Sequence, residues 1–253
     1  MRFKVLLSTM ILLIASYAFS FEEVRNLNLS AEGIEKLEID CGAGFLEVRG
    51  SEGLKEMQVT AEIIVKGLSE KKTIEYIQEK VELSLEKRGK RAALISKFKS
   101  SFSFFSFRER VINLTVNMPK NMSLYIDDGS GYMMIENIEG EIEIDDGSGE
   151  IRVEKIKGNM IIDDGSGEID LKDIWGDVSI EDGSGEVEVK EIQGDVSIDD
   201  SSGSIYVEDV QGGVIVSDGS GSINIDGVGK DVVIKRDGSG SVNISNVKGR
   251  VIK

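Results

Sequence analysis

From Gly131 to Gly221 a glycine stands at every ninth residue. Every second one closes an Asp-Gly-Ser-Gly unit, and the signature aspartates run Asp128, Asp146, Asp164, Asp182, Asp200 (in Asp-Ser-Ser-Gly), Asp218 and Asp237. An 18-residue unit cannot bury a core alone. It must stack on copies of itself, and so strict a period constrains the chain to a solenoid.

Within one unit, Val187 and Val189 alternate with Glu186 and Glu188, and after Gly194 Val196 and Ile198 alternate with polar neighbours. That is the period-2 pattern of two short strands, each with one buried face. Ile192 lies between them and fills a corner, which makes five inward positions per coil. The next coil repeats them as Ile205, Val207, Val210, Val214 and Val216. Stacked in register, the coils form columns of β-branched residues about 4.8 Å apart, and seven coils make a rod on the order of 30 Å long. Asp-Gly-Ser-Gly reads as a self-satisfying turn, because Asp and Ser can bond nearby backbone groups and glycine reaches positive φ without steric cost. The repeats contain no proline, as central ladders require. Lys235-Arg236 inserts one residue before Asp237, which predicts a local bulge in an intact stack.

The expected fold is therefore all-β: a parallel, single-stranded β-solenoid with 18-residue coils, two short strands per coil, and a small α+β elaboration at the N-terminal end. Residues 1–20 read as a signal peptide. Arg2 and Lys4 precede the apolar run from Val5 to Phe19, and small residues follow at Ala18 and Ser20. That run is short for a membrane span, and no later segment is long and apolar enough to be one. Residues 21–253 are expected to form one solenoid domain, with 54–122 as the elaboration and 123–253 as the regular coils. Leu37 to Val48 fits the same template as Val196 to Val207, with Cys41 where the signature aspartate would stand. Cys41 is expected to be an inert thiol, and a single cysteine allows no internal disulfide. Ser69 to Val81 predicts a short helix with Ser69 as N-cap and Ile74, Ile77 and Val81 on one face. A hairpin around Lys87–Lys90 and a strand from Val111 to Met118, ending at Pro119, should follow.

These parts, in this order, resemble the bacterial putative-adhesin family of secreted β-strand-repeat domains. The opening coil LEIDCGAGFLEVRG, the helix, the strand VINLTVNMPKN and the Gly-x-Ile-x-Val repeats carry the resemblance across nearly all of residues 21–253. It implies a β-helix with an envelope or extracellular role and brings no catalytic residues.

Charge narrows the partners. Residues 123–253 carry 30 acidic against 11 basic side chains, whereas residues 21–122 carry 16 against 17. An acidic rod repels nucleic acid and anionic lipid. The chain has no histidine, which removes the usual base near neutral pH and the commonest metal ligand. Paired carboxylates can hydrolyse glycosides, yet they recur in every coil and no pair stands out. The expectation is a non-enzymatic protein with no catalytic residues, no cofactor and no dedicated metal site.

The alternative is an ion-stabilised solenoid, in which a calcium ladder of Asp145, Asp146, Asp163, Asp164, Asp182, Asp199 and Asp200 relieves the repulsion between stacked carboxylates. Against it, calcium-binding nonapeptide repeats place the aspartate after the glycines, not before them. The run Phe102, Phe104, Phe105 and Phe107 reads either as a cover for the end of the core or as an apolar patch that docks an envelope or extracellular partner. Trp175 should face outward. Lys248, Arg250 and Lys253 put positive charge at the other end of the rod, from which a monomer is expected. Export to the periplasm, cell surface or exterior follows from the N-terminal segment.

Overall fold

The computed structural model describes residues 20–99 and 109–253. The signal-peptide reading and the Phe102, Phe104, Phe105 and Phe107 run fall outside the described residues. The chain opens with β1 (Ser20–Ser30), β2 (Lys36–Cys41), β3 (Ala43–Ser51) and β4 (Glu56–Lys66), followed by α1 (Glu70–Lys80). The hairpin β5 (Val81–Arg88) and β6 (Arg91–Phe98) comes next, then β7 (Glu109–Pro119).

The coils follow as pairs. They are β8 (Ser123–Asp128) with β9 (Ser130–Glu136), β10 (Ile142–Asp146) with β11 (Gly149–Ile156), and β12 (Met160–Asp164) with β13 (Gly167–Ile174). Then come β14 (Val178–Asp182) with β15 (Gly185–Ile192), and β16 (Val196–Asp200) with β17 (Gly203–Val210). The last are β18 (Val214–Asp218) with β19 (Ile223–Val228), β20 (Val232–Asp237) with β21 (Val242–Val247), and β22 (Val251–Ile252).

Each coil gives one strand to each of two 11-stranded sheets. The first runs β1-β4-β7-β3-β9-β11-β13-β15-β17-β19-β21, the second β22-β20-β18-β16-β14-β12-β10-β8-β2-β6-β5. Pairing along the coils is parallel and in register, so that Val178 faces Val196 and Val196 faces Val214. This is the expected β-solenoid. Its core is the space between the sheets, filled by the predicted columns: Val187, Val189, Ile192, Val196 and Ile198 are all buried. Where Lys235 is inserted, the register slips once, between the Val216–Ile234 and Ser217–Arg236 pairs, and the stack continues.

The strands of the N-terminal elaboration flank the first coil. The first coil, β2–β3, is not outermost: β6 and β7 pair along its outer edges while β8 and β9 pair along its inner ones. β7 slots between β3 and β4, running antiparallel to β4. Non-local pairing decides this, and chain order cannot reveal it.

The helix buries Thr73, Tyr76 and Ile77; Ile74 is half-exposed, and Val81 already belongs to the following strand. The docked face is set by Tyr76, which stacks on Phe98 and accepts a bond from Arg110. Ser69 has the extended backbone of an N-cap, but its side chain makes no cap bond. Its carbonyl instead accepts from the Thr73 N–H and Oγ1.

Candidate functional site: two aspartate columns and an outer groove

Strand alternation decides where each acidic residue of a coil points. In β14, Val178, Ile180 and Asp182 are buried while Ser179 and Glu181 are exposed, and β10, β12 and β16 repeat the pattern. The signature aspartate is thus a sixth inward position, beyond the five that the apolar alternation predicts. Asp128, Asp146, Asp164, Asp182, Asp200 and Asp218 are all buried, Asp200 with 0% exposure. Asp237 in the last full coil is exposed.

One oxygen of each carboxyl is used at the corner. The N–H groups of Ser184, Ser202 and Ser220 donate to Oδ1 of Asp182, Asp200 and Asp218 at 2.8–3.0 Å, and Gly129 N–H donates to Asp128. The other oxygen is an orphan: Oδ2 of Asp164, Asp182, Asp200 and Asp218, and Oδ1 of Asp146, are buried without a partner. Loss of solvent, reinforced by charge from neighbouring coils, pushes the carboxyls up to about 6 for Asp146, about 7 for Asp164 and about 6 for Asp200. Asp128, Asp182 and Asp218 move the same way, first through burial.

Cys41 stands at the head of this column, half-buried. Burial and then the Asp128 charge raise its thiol, which keeps it protonated and unreactive.

The outer carboxylates form a separate column. Asp127, Asp145, Asp163, Glu181 and Asp199 pair coil to coil, and the column ends at Ser217 and Arg236. The proposed calcium ladder is therefore divided. Asp145, Asp163 and Asp199 point to solvent, whereas Asp146, Asp164, Asp182 and Asp200 point into the core. Among the described residues no three acidic or thiol groups converge to hold a metal ion.

At the opposite corner a second ladder is satisfied. Asp177 N–H donates to Asn159 Oδ1, Asp195 N–H to Asp177 Oδ1, and Gly213 N–H to Asp195 Oδ1, at 2.8–3.0 Å. Backbone donation and Lys230 hold the Asp195 carboxyl below its ordinary value. Asp195 is thus shifted in the opposite direction from the signature aspartates, because it collects donors and they lack them.

Between Asp177–Asp195 and the outer carboxylate column, the middle outward station reads Ile161, Ser179, Ser197, Ile215 and Val233. The two serines leave a groove of about 560 Å³ between Ile161 and Ile215. Ile161 is 56% exposed. Trp175 lies at the nearby corner, 60% exposed, with its Nε1–H donating to Asp173. Arg250, expected to be free positive charge, is committed to Asp231.

A two-sheeted parallel β-solenoid with internal and external acidic ladders defines the structural class. The chain belongs to the Toastrack DUF4097 family, whose model matches residues 34–250. Its fold is similar to that of a putative adhesin from Bacteroides fragilis, with a TM-score of 0.52, 12% identity, and 90% of this chain and 96% of that one covered. A putative lipid binding protein from Parabacteroides distasonis aligns with a TM-score of 0.48 and 16% identity over 92% of this chain and 97% of that one. No curated protein matches the chain.

Proposed function

We propose that this is a non-enzymatic, exported binding protein of the cell envelope, adhesin-like, which engages a basic, partly apolar polypeptide surface along the outer groove of its second sheet. The carrying observation is the groove itself: Ile161 and Ile215 flank a floor of Ser179 and Ser197, with carboxylates on both sides. A rigid ladder holds these side chains in place, so little ordering entropy opposes binding. Isoleucine supplies the apolar contact, while Asp177, Asp163, Glu181 and Asp199 favour a cationic partner and steer its approach. Export is supported by the basic-then-apolar pattern of residues 1–20, and the adhesin-like reading by the fold shared with the Bacteroides fragilis putative adhesin. No helix among the described residues is long and apolar enough to cross a membrane.

Fluorescence anisotropy with a labelled peptide of alternating lysine and leucine tests this reading. Ser179→Lys with Ser197→Lys fills the groove and adds two positive charges to its floor, and should weaken binding at least tenfold. Glu168→Lys with Glu186→Lys makes the larger charge change on the opposite sheet and should matter much less. Equal losses from the two pairs would mean that net charge alone attracts the peptide and that the groove is not the site.

A further inference from the structure

We propose that the inward column from Asp128 to Asp218 is a proton-binding ladder, which at mildly acid pH holds protons shared between the carboxyls of successive coils and releases them as pH rises towards neutrality or as the signature corners loosen. Each orphan oxygen is closed off from water and lacks a donor, and a buried unpaired carboxylate is among the costliest groups a core can hold. A proton on that oxygen removes the charge and converts it from an unserved acceptor into a donor. The stacked carboxyls, repeating at a strand spacing of about 4.8 Å, supply acceptors along the column.

The surroundings suit a proton better than a metal. A Cβ added at Gly203 would lie 3.1 Å from Asp200 Oδ2, so on the facing sheet this orphan oxygen packs against glycine. The positions beside them on the same strands are Val and Ile. Calcium needs six to eight oxygens, and this column leaves one free per coil.

The charges acting on the ladder come from its own sheet. They are the outer carboxylates Asp127, Asp145 and Asp199, Asp40 and the Cys41 thiol at the N-terminal end, and Arg236 and Asp237 beside Asp218. Among the described residues, the charges that act most strongly on Asp146, Asp164 and Asp200 are carboxylates of their own sheet.

The sign follows from linkage. In the unfolded chain these carboxyls titrate near 3.8, and in the folded one Asp164 titrates near 7 and Asp146 and Asp200 near 6. Between these values the folded state binds more protons. The ladder's stabilisation is therefore complete below about pH 4 and is lost as pH rises through 6 to 7.

Thermal melts of the full chain from pH 5.5 to pH 8, with EDTA present, test the proposal. The wild-type Tm should fall by on the order of 5–10 °C across this range. Asp164→Asn with Asp200→Asn should reduce that fall by half or more, because a neutral amide has no proton to lose. Asp163→Asn with Asp199→Asn, which changes the same charge on the outer face, removes one neighbouring charge but no group of the ladder and should reduce the fall far less than the inner pair.

Should the inner variants fail to fold, the infrared band of protonated carboxyl in the wild type serves instead. It should be present at pH 6 and fade towards pH 8. A Tm that is level or rises with pH, an unchanged fall in the inner variants, or no protonated-carboxyl band at pH 6 would each overturn the proposal. So would a Tm at pH 8 that millimolar calcium raises and EDTA lowers again, since the column would then be a cation site.

Discussion

At the scale of single residues the corners carry two different stresses. One corner of each coil holds a residue in the left-handed region: Asn137, Lys155, Asp173, Glu191, Asp209 and Asn246 at φ of 53° to 61°, and Gly227 at 74°. Asn, Asp and Gly tolerate this conformation, whereas Lys155 and Glu191 have no such aptitude. Glu191→Gly should relieve that strain and lose some of the gain to unfolded-chain entropy, for a net stabilisation of about 0.5 kcal/mol. A small rise in the denaturation midpoint at constant slope would show it.

The other corner is limited by space. A Cβ at Gly149 would overlap the carbonyl oxygen of Gly131 in the preceding coil, while one at Gly53 meets nothing within 4 Å. Gly149→Ala should cost about 3 kcal/mol or more, because backbone must move. Gly53→Ala has only its positive φ to accommodate and should cost about 1 kcal/mol. Urea melts that rank the two the other way would contradict the stacking described. On the strands between the corners, burial decides. Val189→Asp puts an unpaired charge into the core and should cost about 3–5 kcal/mol, whereas Glu188→Lys, on the outer face, should stay within about 1 kcal/mol.

Among the elements, α1 and β7 show how tertiary contacts override local signals. Ser69 reads as an N-cap in the sequence, and its backbone is extended as a cap requires, yet its hydroxyl makes no cap bond. Ser69→Ala should therefore cost less than about 0.5 kcal/mol, below the usual ~1 kcal/mol for such caps. Ile77 is fully buried, and Ile77→Ala should cost about 2–5 kcal/mol. Chemical denaturation of the two variants checks both values. The helical period was legible from Ile74 and Ile77, but the docked face was not. Tyr76 turns inward because Phe98 and Arg110 wait for it, and these lie more than twenty residues away in sequence.

For the whole molecule, the repeat makes stability close to a sum over coils and their interfaces. Deleting residues 167–184 removes one full unit and joins Ser166 to Gly185, so every later side chain keeps its face. Such a protein should fold cooperatively with its Tm within about 5 °C of the parent. Deleting Glu188 alone, in the middle of a strand and away from any corner that could absorb the slip, puts Val189 on the outer face and should lower the Tm far more. Circular dichroism of the two truncated chains distinguishes the outcomes. The same additivity explains why a one-residue insertion at Lys235 is absorbed at the corner, where the register recovers by Arg236–Ser217.

The sequence by itself determined the coil. Eighteen-residue spacing, period-2 alternation and corner glycines leave no other way to bury Val187, Val189, Val196 and Ile198, because each unit can complete its core only against its neighbours. Alternation even pointed to the inward aspartates, since Asp200 lies two residues beyond Ile198 on the same face. Composition hid them: aspartate next to glycine and serine looks like a solvated turn. Only the tertiary structure decided that these carboxyls lose water, that those from Asp146 to Asp218 each keep one unpaired oxygen, and that β7 enters between β3 and β4. Desolvation and non-local pairing depend on what the rest of the chain places around a residue, and a repeat in one dimension does not contain that information.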